Sequence, residues 1–338
     1  MKTVITEIEL IKMIDKFKDN PTDLDLINQI AIGYIENPSM QTDNDELKFF
    51  ELAYSLKKTI KTTHNLAWYL YFEWGEQERA IEIQKEQINK NPKSFYPYYL
   101  LGFMLMENDE YSNAIEYLLK ANKKSDRRDI LHNLGYCYFK LGDFQTAKEY
   151  FFKATTDHDF ENRSAYNLAI SDFKIGNIKS TREIADKLSS SIELNVHQII
   201  SGYEIGFLYF LLEDFKMASE CLIKQGIEGV DLINWKELSY SLFLTDKDKW
   251  ISQHDKLITN RETWIDEINT EQEGWFFDSE QDKIEELTQL KREIYNIKKM
   301  IKSGIAKPDL DLRANVWSEP CDCLLFDCKR HENQTDDE

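Results

Sequence analysis

Proline and glycine are scarce in this chain, six and twelve in 338 residues. So few breaks leave room for long helices, and the glycines cluster at recurring places rather than in flexible linkers. Cysteine is also sparse: Cys137 and Cys221 fall inside helical patterns, while Cys321, Cys323 and Cys328 crowd the end of the chain. That distribution is not a secreted disulfide framework, and reduced thiols are expected. No stretch approaches the ~20 apolar residues of a membrane helix. Met1 to Lys18 alternates Ile5, Ile8, Leu10, Ile11 and Ile14 with charged residues, without the unbroken apolar core of a signal peptide. The expected compartment is the cytoplasm, with no membrane partner.

Basic residues are outnumbered, 42 Lys and Arg against 61 Asp and Glu, for a formal charge of −19. A chain that gains affinity by neutralising phosphates would carry the opposite balance, so nucleic acid is not an expected partner. Catalytic signatures are missing as well: no Gly-rich phosphate loop, no His-Glu-x-x-His and no nucleophile elbow. His64 and His132 belong to helical patterns, and His158, His197 and His254 stand apart in sequence. The chain reads as a non-enzyme without a cofactor.

What is present is a repeat. Trp68, Tyr71, Gly75, Ala80 and Pro92 recur about 34 residues later as Tyr98, Leu101, Gly102, Tyr111, Ala114, Leu118 and Ala121. The clearest copy is Leu131, Leu134, Gly135, Tyr138, Gly142, Phe144, Ala147, Phe151 and Ala154. Leu168, Ala169, Gly176 and Ile178 mark a weaker copy, as do Ile205, Gly206, Tyr209, Phe215, Ala218 and Leu222. Each copy reads as two antiparallel helices. Gly102, Gly135 and Gly206 remove a side chain where the helices cross, and Ala114, Ala147 and Ala218 do the same from the partner helix. Asn91-Pro92 stops one helix and turns the chain into the next pair.

This pattern resembles the tetratricopeptide repeat family. The resemblance implies an all-α fold: a right-handed superhelical solenoid of antiparallel helix pairs, with divergent capping helices at both ends. Four segments are expected. Residues 1–60 form N-terminal capping helices with a degenerate repeat around Gly33, Phe50 and Ala53. Residues 61–232 hold five repeats. Residues 233–304 hold a degenerate pair (Trp235, Leu238, Leu242, Trp250) and two further helices, Arg261 to Trp275 and Ser279 to Ser303. Residues 305–338 form an extended acidic tail. The last helix carries Ile284, Leu287, Leu290, Ile294, Ile297 and Ile301 at steps of three and four, a stripe expected to pack back on the array, as an end cap or over its concave face.

The resemblance also implies that the first helices of successive pairs line a concave groove for a peptide or helix of a partner. The residue after each crossing position, with those four before and three after it, falls on one narrow helical stripe. The stripe runs Asn65, Tyr69, Phe72; Tyr99, Phe103, Met106; His132, Tyr136, Phe139; Tyr166, Ile170, Phe173; Tyr203, Phe207, Phe210. Relatives that clamp a C-terminal carboxylate carry Lys, Arg and Asn here, which this stripe almost lacks. An apolar peptide or amphipathic helix docked on aromatic anchors fits better. So long an apolar groove exceeds what proteins leave bare, and a cover is expected, from a partner or from the chain itself.

In the tail, Cys321, Cys323, Cys328 and His331 supply the ligand types and number of a closed structural zinc site. The single residue between Cys321 and Cys323 departs from the usual spacing, and the alternative is a set of reduced thiols around Leu324, Leu325 and Phe326. The leading functional reading is a protein-binding adaptor or scaffold. One alternative is an acidic immunity-type protein that neutralises a basic toxin partner. Another is a platform with metal-dependent activity near its C-terminus.

Overall fold

Helix starts and crossings written in the sequence set the architecture of the computed structural model, which describes residues 5–155, 162–192, 200–224, 235–270, 277, 279–310, 312, 316 and 318. Among these, sixteen α-helices and no strand are present. The first, α1 (Glu7–Asp19), opens on a capping box: the Thr6 hydroxyl accepts from the Glu9 N–H, and the Glu9 carboxylate accepts from the Thr6 N–H at 2.9 Å.

Antiparallel pairs follow. They are α2 (Leu24–Glu36) with α3 (Asp45–Leu56), α4 (Ile60–Tyr69) with α5 (Gln77–Ile88), α6 (Tyr96–Glu107) with α7 (Tyr111–Asn122), and α8 (Arg128–Leu141) with α9 (Phe144–Ala154). A wide π-type turn, Leu70–Trp74, prolongs α4. These helices form one compact unit. A second unit holds the pairs α10 (Asn162–Lys174) with α11 (Ile178–Ile192) and α12 (Gly202–Leu211) with α13 (Phe215–Lys224), then α14 (Lys236–Thr245), α15 (Lys247–Thr270) and α16 (Glu280–Ser303).

Within pairs the crossings are as tight as the small residues require. A Cβ on Gly102 would lie 2.8 Å from Leu118 Cγ, and one on Gly135 would lie 2.8 Å from the Phe151 ring. Ala114, Ala147 and Ala218 are fully buried opposite. In the five pairs from α4–α5 onward the turn passes through the left-handed region at one residue: Gly75 (φ 84°), Asp109 (59°), Gly142 (88°), Gly176 (81°) and Glu213 (56°). Glycine fits there without strain, whereas an L side chain crowds the following carbonyl.

Two features differ from the sequence expectation. Trp250 and Arg261 share one continuous helix, α15, because nothing between them breaks a helix; Trp250 is wholly buried and donates its Nε1–H to Ser239 Oγ at 2.9 Å. The last helix, α16, packs on α15 through Ile258, Ile294 and Ile297, with Leu257, Ile265 and Ile301 around them. Ile284 of the expected stripe is exposed. Steps of three and four do not return to one face indefinitely at 3.6 residues per turn, and Ile284 sits about 120° around the helix from Leu290.

Candidate functional site

A first helix of a pair that is apolar all round has to be covered all round. In α6 every residue from Tyr96 to Met106 is buried, and in α12 every residue from Ile205 to Leu211 is. By contrast, α8 keeps polar edges and α10 is less apolar still. The aromatic stripe runs along these helices in both units.

In the first unit the stripe is ring against ring. Tyr69 packs on Phe50 at 5.4 Å between centroids and donates its hydroxyl to Glu46 Oε1 at 2.5 Å. Phe72 meets Phe103 at 5.9 Å, and Phe103 meets Tyr99 at 6.5 Å. Tyr99 accepts from Asn133 Nδ2 at 3.3 Å. His132 packs on Phe151 at 5.2 Å, Tyr136 on Tyr111 at 6.1 Å and Phe139 on Phe144 at 4.9 Å, each edge to face. Asn65, Tyr69, Tyr99, Phe103, Met106, His132 and Phe139 are buried, while Phe72 and Tyr136 remain half-buried. Burial pushes the Tyr136 hydroxyl up to about 12, so it stays neutral.

In the second unit Tyr166, Ile170, Phe207 and Phe210 are buried, and Phe173 and Tyr203 are half-buried. Tyr203 stacks on Trp235 at 5.0 Å. Phe210 meets Phe215 and Tyr240 edge to face, at 5.8 and 6.2 Å. Chain from beyond α16 adds to this face: Lys307, Pro308, Leu310 and Leu312 border the same cleft as Phe173 and Phe210. Sequence reasoning read that segment as tail, and it left Tyr71, Tyr111 and Tyr240 off the stripe. The Tyr71 hydroxyl lies 2.7 Å from Asn108 Oδ1 and 2.9 Å from the Met104 carbonyl oxygen, its single proton shared between the two acceptors.

The candidate zinc ligands Cys321, Cys323, Cys328 and His331 lie outside the described residues, as do His158 and His197. Among the described residues no group of His, Cys, Asp or Glu is placed to hold a metal ion. Cys137 and Cys221 are buried free thiols, pushed up by burial to about 12 and about 11. Thiols so far from ionising are poor nucleophiles and poor metal ligands. No described helix is long and apolar enough to cross a membrane.

Residues 96–123 and 129–156, the pairs α6–α7 and α8–α9, each match the model of the tetratricopeptide repeat. The chain carries tetratricopeptide repeats (TPRs). Over 114 residues, 34% of this chain, it is 29% identical to a TPR repeat-containing protein of Methanocaldococcus jannaschii, and it spans 19% of that relative's length. Among solved structures it is similar to PilF of Pseudomonas aeruginosa, with a TM-score of 0.52 at 18% identity over 64% of this chain and 98% of that one. The APC/C hetero-tetramer Cut9-Hcn1 gives a TM-score of 0.51 at 18% identity, over 70% of this chain and 46% of that one. Yeast Tom70 gives 0.50 at 14% identity, over 88% and 60%. At such identities these likenesses establish the TPR-type helical solenoid and leave function to the surfaces.

Proposed function

We propose that this TPR protein is a binding adaptor that holds an apolar peptide or helix of another protein on the aromatic faces of its first helices, in the cytoplasm. TPR folds generally serve protein interaction. The observation that carries the finer reading is the concentration of aromatic side chains at stripe positions in both units, including the half-buried Phe72, Tyr136, Phe173 and Tyr203. Aromatic anchors in a desolvated face are where binding energy concentrates.

The burial of the other members changes which experiment is informative. Replacing Phe103 or Phe139 by alanine would hollow the core and confound binding with folding. A photo-crosslinking residue at Phe72 or Tyr136 leaves the core intact. The control is Phe152 on α9, 58% exposed. Crosslinks to a defined partner segment at Phe72 and Tyr136 but not at Phe152 are expected, followed by at least tenfold weaker binding of that purified partner to Tyr136→Glu. Equal labelling at all three positions would overturn the proposal.

A further inference from the structure

In the second unit the chain beyond α16 turns back onto the stripe. Gly304 ends α16 at φ +77°, and a Cβ on it would lie 3.2 Å from Phe243 of α14. The chain therefore leaves the helix through a conformation that only glycine adopts easily, pressed against a neighbouring ring. Lys307 then finds two kinds of partner. Its Nζ is 2.6 Å from Glu213 Oε1 and 5.8 Å from the ring centroids of both Phe210 and Phe215. Phe210, Phe215 and Tyr240 form a mutual edge-to-face trio, the last two 5.6 Å apart. A carboxylate beside aromatic faces is the chemistry that recognises an ammonium group. Pro308 disfavours the α conformation at Lys307 before it, so the chain stays extended there rather than resuming a helix. Leu310 and Leu312 then border, with Phe173, a cleft of about 440 Å³, and Leu312 is only 7% exposed.

Glu213 itself is out of place by turn chemistry. At the corresponding turn the other pairs use Gly75, Asp109, Gly142 and Gly176, whereas Glu213 holds a long, unbranched side chain at φ 56°. Glycine would serve the turn better, so the carboxylate is there for something other than the turn. In this structure it grips Lys307, which in turn holds the Glu213 carboxyl below its usual range. Both groups remain substantially solvent-accessible, 45% for Lys307 and 68% for Glu213. An exposed pair of this kind is screened by salt and exchanges readily, which suits a contact meant to open.

We propose that residues 305–310 and Leu312 are an internal ligand: a strap that occupies the Phe173–Phe210 face and must be displaced by an extended partner peptide carrying a lysine followed by proline or apolar residues. The proposal rests on the adaptor reading and names the ligand chemistry of one of its faces. The acidic balance of the chain, −19, would steer such a basic peptide toward it.

Three full-length chains test it, probed with a fluorescent synthetic peptide of residues 304–316 and by hydrogen exchange over 304–312. Wild type should bind the peptide at least tenfold more weakly than Lys307→Ala/Leu312→Ala, whose own strap is loosened and exchanges faster. Glu213→Gly should also exchange faster in the strap, with unchanged or higher thermal stability, yet fail to bind the peptide because the clamp is gone. A peptide with its lysine replaced by alanine should bind none of them. Equal binding to all three chains, no binding to the double variant, or a strap whose exchange is unchanged by either variant would overturn the strap. If crosslinking at Phe72 and Tyr136 persists in that event, the adaptor reading stands and only the internal ligand falls.

Discussion

Phe139 of α8 and Phe173 of α10 hold the same place on the stripe, three residues past the position that follows each crossing, and they meet different fates. Phe139 is fully buried against Phe144 of its own helix pair. Phe173 is half-buried and borders the cleft shared with the strap. An aromatic stripe offers more ring area than a stack of helix pairs can absorb. At Phe139 the second helix supplies Phe144 and the stripe closes within the pair; five residues past Phe173 stands the exposed Ile178 instead, and chain from beyond α16 borders the ring. Truncating both rings tests the difference directly. Phe139→Ala should cost about 3–5 kcal/mol, the range for a buried aromatic. Phe173→Ala should cost less than half as much, and urea unfolding of the two full-length variants compares them directly. Equal losses would mean that both rings are core and that the second unit presents no separate face.

A smaller effect separates the units at their crossings. Alanine at Gly135 gains about 1 kcal/mol of helix propensity but pushes a methyl to 2.8 Å from the rigid, fully buried ring of Phe151. Overpacking of that kind costs about 1–3 kcal/mol, so a net loss of up to about 2 kcal/mol is expected. At Gly206 the first obstacle is Leu238 Cδ2 at 2.9 Å, the movable end of a flexible side chain, with the Ala218 carbonyl oxygen at 3.1 Å behind it. Gly206→Ala should therefore lower the melting temperature less than Gly135→Ala does. The reverse order would show that the Phe151 ring can yield and that the first unit is packed less tightly than its burial implies.

The pairs were legible because their signals are local. Gly102, Gly135 and Gly206, with their alanine partners, recur at nearly fixed spacing, and each marks a contact that only small residues permit. The stripe positions were legible by the same periodicity, but their burial was not, because periodicity places a residue on a face without saying what lies opposite. Tyr136 and Phe139 are three residues apart in sequence, yet one is half-exposed and the other sealed by Phe144. The strap was invisible for a different reason. Lys307 and Glu213 are 94 residues apart, and neither is unusual in an acidic chain until the positive φ of Glu213 is known. The continuity of α15 is masked in the sequence because Trp250 fits the degenerate repeat pattern and Arg261 opens a fresh run of helix formers, although no proline or glycine divides them.

The smallest predicted effect concerns how α16 is held before it delivers the strap. Its contact with α15 combines the buried trio Ile258, Ile294 and Ile297 with an ion pair, Arg261 Nε to Glu293 Oε2 at 2.6 Å. The apolar part dominates, since each buried side chain contributes about 1.5–3 kcal/mol and a partly exposed ion pair at most about 1 kcal/mol. The ion pair is nevertheless the part that pH can address. The hydrogen bond from Arg261 holds the Glu293 carboxyl below its ordinary value of 4.5, with Gln289 assisting against a partial desolvation cost. A carboxylate depressed in the folded state adds stability that is complete above its unfolded pKa and disappears as pH falls through its folded one. Glu293→Gln should therefore melt slightly below wild type at pH 7, and the gap should narrow as pH drops below 4.5. Ile297→Ala should lose far more, by an amount that does not depend on pH in that window. A gap for Glu293→Gln that persists unchanged in acid would show that the carboxylate acts through packing rather than charge, and would remove Arg261 from the forces that seat α16.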